Sequence, residues 1–204
     1  MIALTLIAAA CAGTPTHDTT MAPVPAAAPG QEVAVLAGGC FWCLEADLDK
    51  LPGVISTTSG YAGGGKVAPT YEEVGRGATG HAESVRVVFD PKVVSYDALL
   101  DYFWHHVDPT DAGGQFCDRG NQYRTGIYPV DAAQQATAEA SKKELQASGV
   151  LPGPVVTEVT GGQTFYPAEV YHQDFHDTTP GRYQSYRMGC GRDRRVAEVW
   201  AKAK

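Results

Sequence analysis

The segment Val33-Ala-Val-Leu-Ala-Gly-Gly-Cys-Phe-Trp-Cys-Leu-Glu45 sets the expected architecture of this chain of 204 residues. Its first five residues are a short apolar run, which is typical of a central β-strand covered on both faces. Two glycines end the run, and a helical pattern follows over residues 41–51 until Pro52-Gly53 closes it. The β-branched stretch 54–58 then predicts another strand. Together these patterns predict a strand–helix–strand unit.

Two further patterns extend this unit. Apolar and polar residues alternate from Glu83 to Phe89, which predicts a strand. Ser95 is expected to cap a helix whose apolar residues follow the helical period, at positions 96, 99, 100, 103, 104 and 107. The other predicted elements are a strand at 125–128, an Ala-rich helix between Asp131 and Gly149, and a last strand at 155–159.

Strands and helices thus alternate, so the expected fold class is α/β. The glycine-rich stretches 60–81 and 108–122 have no regular pattern and are expected to be coils. Coils of this length inside a compact domain are usually functional, because structureless segments are otherwise rare there.

The first thirty residues are predicted to lie outside the folded domain, which is expected to span 31–204. Residues 1–11 are a short apolar run ending in small residues, typical of an export signal and too short to span a bilayer. The run up to Cys11 also resembles a bacterial lipobox, whose cysteine is acylated. Residues 12–30 have an Ala/Pro-rich composition and are expected to form a linker. The predicted location is the bacterial cell envelope or periplasm, with a lipid anchor at Cys11; the alternative is the cytoplasm.

The charge of the chain argues against one class of partner. With 16 Lys and Arg against 23 Asp and Glu, the net charge of -7 is unfavourable for nucleic-acid binding, which depends on neutralising phosphates. Seven basic and two acidic residues fall in 182–204, and we expect them to form a solvated basic face on a terminal helix. A small neutral substrate fits this composition better.

The most reactive group is expected at Cys40. It stands where a buried strand turns into a helix, and the unpaired N–H groups and dipole of a helix N-terminus favour a thiolate. A lowered pKa is therefore expected, which makes Cys40 a candidate nucleophile. An inert core thiol is the commoner fate of a lone cysteine, but the glycines before Cys40 let a ligand approach the backbone.

Three more side chains are candidates for the same site. Phe41 and Trp42 are adjacent and cannot both face one core, so one of them is expected to line a pocket that suits a methyl group; packing under the sheet is the alternative for either ring. Glu83 shares strand parity with Val85 and Val87, which turns its carboxyl to the apolar face, where desolvation raises the pKa towards that of a general acid. A strand-end carboxylate bending to solvent is equally compatible with the sequence.

Six motifs identify a family. They are Gly39-Cys-Phe-Trp42, Gly60-Tyr-Ala-Gly-Gly64, Pro69-Thr-Tyr71, Thr79-Gly-His-Ala-Glu83, Asp118-Arg-Gly-Asn-Gln-Tyr-Arg124 and Ala168-Glu-Val-Tyr-His-Gln-Asp174. In order and spacing, over about residues 33–200, they resemble the A-type peptide methionine sulfoxide reductases, enzymes specific for the S epimer at sulfur. The resemblance implies a two-layer α/β sandwich with a mixed sheet, a ferredoxin-like β-α-β core and long coils. It also implies that Phe41 and Trp42 form the pocket for the substrate's methyl group.

The same resemblance implies catalytic roles. Cys40 would attack the sulfoxide sulfur as a thiolate, and protonated Glu83 would donate to the sulfoxide oxygen. Tyr71 and Tyr123 would hydrogen-bond that oxygen, and Asp118 would support the network. These roles agree with the chemistry, since the oxygen must leave as water and needs proton donors around it. The substrate would be methionine sulfoxide, free or in oxidised proteins.

Recycling requires a second thiol. After methionine leaves, Cys40 would be a sulfenic acid that condenses with another cysteine to a disulfide. The tail position of Cys190 makes it the preferred resolving residue, while Cys43, which forms a C-x-x-C with Cys40, and Cys117 are the other candidates. Many relatives have Gly in place of Cys43, so the recycling route is the step most open to variation. A thioredoxin-like protein is the expected reductant.

We expect no metal and no bound organic cofactor. One C-x-x-C with dispersed histidines lacks the spacing of a zinc site. His105 and His106 are expected at the surface or end of a helix, and His81 and His172 beside the pocket. Two other functions are compatible with the sequence: a C-x-x-C thiol–disulfide oxidoreductase, and a non-catalytic binding module tethered to the envelope.

Overall fold

The structure is a computed structural model that describes residues 18–203. The predicted export signal and Cys11 lie outside the described residues. The helices are α1 (Phe41–Leu48), α2 (Tyr71–Gly75), α3 (Tyr96–Trp104), α4 (Ala132–Ser148), α5 (Phe175–Thr178), α6 (Pro180–Cys190) and α7 (Arg192–Val199). The strands are β1 (Glu32–Gly38), β2 (Val54–Ala62), β3 (Ala82–Phe89), β4 (Gly114–Gln115), β5 (Asp118–Arg119), β6 (Thr125–Ile127), β7 (Glu158–Val159) and β8 (Tyr166–Pro167).

Six strands form one mixed sheet in the order β7-β6-β1-β3-β2-β8. Strands β1 and β2 flank β3 and run antiparallel to it, so α1 crosses from one side of β3 to the other. This is the split β-α-β arrangement of a ferredoxin-like core, and β6–β7 is the parallel pair that makes the sheet mixed. The predicted α/β fold with a mixed sheet is confirmed. Strands β4 and β5 form a separate hairpin.

The core lies between this sheet and the helices on one of its faces. Along β1, Ala34 and Leu36 point into the main apolar cluster with the helices, while Val35 and Ala37 belong to a smaller cluster on the opposite face. All six apolar positions predicted for the helix after Ser95 are buried. Each such side chain stabilises the fold by about 1.5–3 kcal/mol relative to exposure, so their periodic pattern is enough to fix α3 against the sheet.

Three helix ends follow the predicted capping chemistry. The Ser95 hydroxyl accepts from the Ala98 N–H at 3.1 Å, and the Asp131 carboxylate accepts from the Gln134 N–H at 2.8 Å. Gly149 ends α4 with a φ of 67°, the left-handed conformation that glycine adopts without strain. Helix α1 is shorter than predicted: it ends at Leu48 rather than at residue 51.

Both stretches predicted as coils contain regular structure. Strand β2 continues through Tyr61 to Ala62, and the five-residue helix α2 begins with a capping box made by Thr70 and Glu73. The second stretch holds the β4–β5 hairpin. These elements are too short to leave a periodic pattern, and their stability comes from tertiary contacts. The predicted last strand is likewise corrected: β7 is only two residues long, and β8 follows it.

The basic C-terminal region is not a solvated face throughout. Arg192 is fully buried, donates to the Gly38 carbonyl at 3.0 Å and the His106 carbonyl at 2.9 Å, and approaches Asp47 to 3.5 Å. Arg187 lies 2.9 Å from the same buried carboxylate. The prediction is therefore wrong for these two arginines, because they tie α6 and α7 to α1 by satisfying buried acceptors.

The described part of the predicted linker contacts the domain. The Ala22 N–H donates to the Ala168 carbonyl at 2.9 Å, and Met21 forms an isolated β-bridge with Glu169. The domain boundary near residue 31 stays a prediction. Among the described residues, no helix has both the length and the apolar character needed to cross a bilayer.

Candidate active site

The site is built around the turn from β1 into α1. Cys40 is the N-cap residue of α1, as the sequence predicts, and its residue is 7% exposed. The turn requires Gly39, whose φ is 81° and whose added Cβ would come within 2.6 Å of the Gln115 side chain. The backbone thus places the Cys40 sulfur at the end of a buried strand, inside a cleft.

Glu83 faces this turn from the neighbouring strand β3. Its parity turns the carboxyl towards the helical face, where Oε2 accepts from the Phe41 N–H at 3.0 Å. The side chain is buried, and this burial raises the pKa of Glu83 to about 8, against the opposing effect of the Phe41 hydrogen bond. At neutral pH the carboxyl therefore keeps its proton and is available as an acid.

The structure contradicts the prediction for the pKa of Cys40. Burial in the cleft, the contact with the Cys43 thiol and the nearby Glu83 carboxyl raise the pKa of Cys40 well above its ordinary value. The expectation of a lowered pKa is wrong here. Desolvation of a buried group shifts a pKa by up to roughly 3–5 units, whereas a helix dipole contributes about 2 kcal/mol at most, or about 1.5 units.

The cleft around Cys40 is small, about 70 Å³, and the predicted residues converge on it. It is lined by Cys40, Phe41, Trp42, Tyr71, Glu83, Asp118, Tyr123 and Tyr186. A liquid water molecule occupies roughly 30 Å³, so the cleft has room for a group of a few heavy atoms rather than for a whole amino acid. The seven residues assigned to catalysis or to the methyl pocket by family resemblance all lie here.

The two tyrosines are held by different elements. Tyr71 begins α2, and its N–H donates to Glu169 Oε1 at 2.9 Å, while Glu169 Oε2 accepts from the Tyr61 hydroxyl at 2.9 Å. Tyr123 ends a short 3₁₀ helix after β5. Burial and the nearby Glu83 carboxyl raise the pKa of both hydroxyls. Both remain protonated donors.

An aromatic wall separates the cleft from a wider groove. Trp42 stacks on Phe175 with ring centroids 3.8 Å apart, and its indole N–H donates to His172 Nδ1 at 3.1 Å. Trp42 and Tyr71 also line a groove of about 530 Å³ beside the cleft. Arg182 stands at this groove with its guanidinium carbon 5.8 Å from the centroids of the Trp42 and Phe175 rings.

The four domain cysteines form two pairs. Cys117 and Cys190 form a disulfide, whereas Cys40 and Cys43 are free, buried thiols. Cys43 lies on the first turn of α1 within hydrogen-bonding reach of the Cys40 sulfur. That hydrogen bond and the positive charges of the α6–α7 region lower the pKa of Cys43.

The histidines are distributed as follows. His172 packs against Trp42 and Tyr71, beside the cleft. His81 lies apart from the cleft residues, and its ring bonds the Lys66 carbonyl at 2.7 Å, which closes the loop before β3. His105 and His106 lie at the end of α3, where each ring bonds a carbonyl of that helix.

Sequence reasoning missed Tyr186. It reaches the cleft from α6, and its hydroxyl donates to Asp118 Oδ2. One signal was available in the sequence. In a helix, Tyr186 lies on the same face as Cys190, which was predicted to take part in recycling. Glu169, which holds Tyr61 and Tyr71, was also missed, although it falls inside one of the six motifs.

The fold and the cleft together define an α/β oxidoreductase that works through cysteine thiols. A family model described as peptide methionine sulfoxide reductase matches residues 32–204, and the chain belongs to this family. It is similar to the peptide methionine sulfoxide reductase MsrA of Bacillus licheniformis, with 47% identity over 172 residues, 84% of this chain and 95% of that protein.

Solved structures agree with this assignment. Methionine sulfoxide reductase A of Corynebacterium diphtheriae is 34% identical, with a TM-score of 0.66 over 75% of this chain and 77% of that one. Mxr1 of Saccharomyces cerevisiae in reduced form is 31% identical, with a TM-score of 0.70 over 76% and 90%. Mxr1 in complex with Trx2, at 22% identity and a TM-score of 0.52 over 74% and 89%, shares the fold.

The protein is therefore an enzyme that uses thiols to reduce methionine sulfoxide. The predicted family and reaction are confirmed. The alternative functions, a C-x-x-C thiol–disulfide oxidoreductase and a binding module, have no comparable support.

Proposed function

We propose that this chain reduces the S epimer of methionine sulfoxide, with Cys40 as nucleophile and Glu83 as acid. The observation that carries the proposal is the shared cleft: the Cys40 sulfur and a buried, protonated carboxyl line the same small cavity. A thiolate beside a carboxylate would be disfavoured by the repulsion between two negative charges, but protonated Glu83 has no charge. The pair thus combines a soft nucleophile with a proton source.

In this step the oxygen atom passes from the substrate to Cys40. The sulfoxide loses its S–O bond and becomes a thioether, a two-electron reduction, while the Cys40 thiol becomes a sulfenic acid, a two-electron oxidation. Glu83 protonates the leaving oxygen, and the proton of Cys40 restores Glu83, so no net proton is consumed. Tyr71 and Tyr123, which line the same cleft, would donate hydrogen bonds to the oxygen, and Asp118 would support their network.

The cleft and groove suggest how the rest of the substrate is bound. Only the methyl sulfoxide end fits the cleft, where Phe41 and Trp42 would surround the methyl group. The remainder of a peptide must leave past Trp42 and Tyr71 into the adjoining groove. This supports action on methionine sulfoxide within polypeptides as well as on the free amino acid.

The experiment that tests the proposal is a single-turnover assay on separated epimers. Reduced enzyme is mixed with the S or R epimer of a blocked methionine sulfoxide peptide and with each free epimer, without reductant, and methionine is quantified. One methionine per enzyme is expected from the S epimer and none from the R epimer. Equal yields from the two epimers would overturn the stereochemical assignment.

For recycling, we propose that Cys43 resolves the Cys40 sulfenic acid. Its thiol is free and in contact with the Cys40 sulfur, whereas Cys190, preferred from sequence, is joined to Cys117. Attack by Cys43 forms a Cys40–Cys43 disulfide and releases water. A thioredoxin-like dithiol then reduces that disulfide.

Mass mapping after one turnover decides the resolving residue. Enzyme that has reduced one substrate without reductant is alkylated and digested, and disulfide-linked peptides are identified. A Cys40–Cys43 peptide supports the proposal. A Cys40–Cys190 peptide would instead show that the Cys43 thiol first displaces Cys190 from Cys117 by thiol–disulfide exchange, and that the released Cys190 thiol then attacks the Cys40 sulfenic acid.

We propose that the chain resides in the bacterial cell envelope as an exported protein, anchored at Cys11, with its catalytic domain over residues 31–204. The support is the apolar run at residues 1–11 and the Cys117–Cys190 disulfide, since structural disulfides are typical of oxidising compartments. Expression of the full chain with labelled palmitate tests this: label is expected on Cys11 and lost in Cys11→Ala. Recovery of unlabelled, uncleaved chain in the cytoplasm would refute it.

A further inference from the structure

We propose that Tyr186 is a further catalytic residue, whose hydroxyl holds the Cys40 sulfur, and that the Cys117–Cys190 disulfide keeps this hydroxyl in place. The inference rests on the proposed role of Cys40 as nucleophile and adds a group that none of the six motifs contains.

The first observation is the position of Tyr186 in the cleft. Its ring packs edge-on against Trp42, with centroids 5.8 Å apart and an angle of 82° between the planes. Its hydroxyl donates to the Asp118 carboxylate, and the Tyr186 side chain lines the same small cleft as Cys40. Tyr186 is therefore the link between Asp118 and the reacting atom.

The second observation is that helix α1 donates no capping hydrogen bond to the Cys40 side chain, although Cys40 occupies its N-cap. A thiolate formed in this buried position needs another donor, because an unpaired buried charge is strongly disfavoured. The Tyr186 hydroxyl is in place to donate to the thiolate, and this contact lowers the pKa of Cys40 against the effect of burial.

One hydroxyl can serve both of its neighbours in turn. While Cys40 is a thiol, Tyr186 donates to Asp118 and accepts from the S–H group. When Cys40 loses its proton, the hydroxyl turns its own proton to the sulfur. No proton leaves Tyr186 in this exchange, since burial keeps its pKa raised.

The third observation is the placement of the disulfide. Cys190 lies one helical turn after Tyr186 on α6, and Cys117 directly precedes Asp118 on β5. The two sulfurs lie 3.8 and 3.9 Å from oxygens of the Asp118 carboxylate. The bond thus joins the two segments that carry the Tyr186–Asp118 pair. We assign the disulfide a positioning role that acts through Tyr186.

The test compares Tyr186→Phe with Tyr183→Phe in single-turnover reduction without added reductant, so that the disulfide stays intact. Tyr183 is the matched control, because it lies one turn earlier on α6 and its hydroxyl accepts from Arg187 at 3.0 Å rather than lining the cleft. Tyr186→Phe keeps the ring that packs on Trp42. We expect its rate of methionine formation to fall about 10- to 100-fold, the effect of losing a hydrogen bond to a charged group, with Tyr183→Phe near wild type.

A second readout separates catalysis from packing. Alkylation of Cys40 is followed across pH by mass spectrometry of its peptide, and the midpoint is expected to rise in Tyr186→Phe but not in Tyr183→Phe. A wild-type rate together with an unchanged midpoint in Tyr186→Phe would overturn the proposal. Failure of the wild-type enzyme to form methionine would instead refute the proposed role of Cys40.

The role of the disulfide is tested by a double-mutant cycle. Replacement of both Cys117 and Cys190 by Ser is expected to lower the single-turnover rate about tenfold in the wild-type background. The substrate concentration that gives half of the maximal rate should change little. In the Tyr186→Phe background the same pair of substitutions is expected to have little further effect, because the two act through one group. Additive effects would show that the disulfide does not act through Tyr186.

Discussion

The two cysteine pairs of the catalytic domain lie in contrasting surroundings. Cys40 and Cys43 are buried free thiols at the turn from β1 into α1. Cys117 and Cys190 form a disulfide at the edge of the molecule, where Cys117 is exposed. The buried pair faces a protonated carboxyl, and the outer pair adjoins Asp118. The reactivity proposed for the first pair and the structural role proposed for the second are therefore attributed to the environment of each pair.

The largest effect is expected from Cys40→Ser. A serine hydroxyl is a far weaker nucleophile towards sulfur, so no methionine should form from methionine sulfoxide, with dithiothreitol present or absent. Cys117→Ser is the comparison from the outer pair: it should still form one methionine per enzyme, although more slowly because it breaks the disulfide that positions Tyr186. Product formation by Cys40→Ser would break the distinction between the two pairs.

Cys43→Ser should separate the two halves of the reaction. One methionine per enzyme is still expected, because the oxygen transfer uses Cys40 alone, but turnover with a thioredoxin-like reductant should fall to a few per cent or less. Progress curves with and without thioredoxin measure both quantities. Full thioredoxin-dependent turnover would return the resolving role to the outer pair.

Glu83→Gln is expected to slow single turnover about 100-fold or more, the usual contribution of a positioned acid. The pKa of Glu83 is raised to about 8, so the wild-type acid is protonated below that pH and lost above it. The wild-type rate should therefore decline as pH rises through about 8, and the ratio of wild type to variant should be largest below it. If the rate of Glu83→Gln declines over the same alkaline range as that of wild type, the decline must come from a group other than Glu83.

Loss of the outer disulfide should lower stability more than it lowers activity with dithiothreitol. Because the bond closes a loop of 73 residues, replacing both Cys117 and Cys190 by Ser should cost about 2–4 kcal/mol. Denaturant unfolding without reductant measures the loss. Wild type unfolded in the presence of dithiothreitol is the comparison, and it should approach the variant.

The smallest effect concerns Glu45, which lies on α1 beside the buried pair. Burial raises its pKa to about 8, so the stability that its protonated form contributes should be lost as pH rises from about 4.5 to 8. Glu45→Gln should reduce this loss by on the order of 1 kcal/mol, measured by unfolding at pH 5 and pH 8. Glu144→Gln, at an exposed position on α4, is the control and should leave the slope unchanged.

Much of the site was predictable, because the periodicity of apolar residues and the local turn residues indicate where its side chains lie. The β1–Gly39–α1 turn alone put Cys40 at a helix N-cap. Strand parity favoured the inward orientation of Glu83 that the structure shows, although the sequence left a solvent-facing carboxylate equally open. The pKa of Cys40 was predicted in the wrong direction, since the helix N-terminus is visible in the sequence and the closure of the cleft by α6 is not.

Tyr186 and Arg192 show why the remaining residues were out of reach. Position 186 lies far along the chain from the cleft, and although it shares a helix face with Cys190, the sequence does not show that this face meets Asp118. Arg192 belongs to a basic segment that reads as a solvated surface, yet it is buried against carbonyls of β1 and α3. Both placements depend on how the C-terminal helices dock on α1.

The sequence by itself determined the α/β class, the strand–turn–helix that presents Cys40 and the family. These follow from short-range patterns, because hydrophobic period and turn residues act within a few residues of one another. Only the tertiary structure decided which cysteines pair, how deeply Cys40 is buried and that α6 supplies Tyr186. Those depend on contacts between distant segments, and desolvation and disulfide geometry exist only once the chain has brought them together.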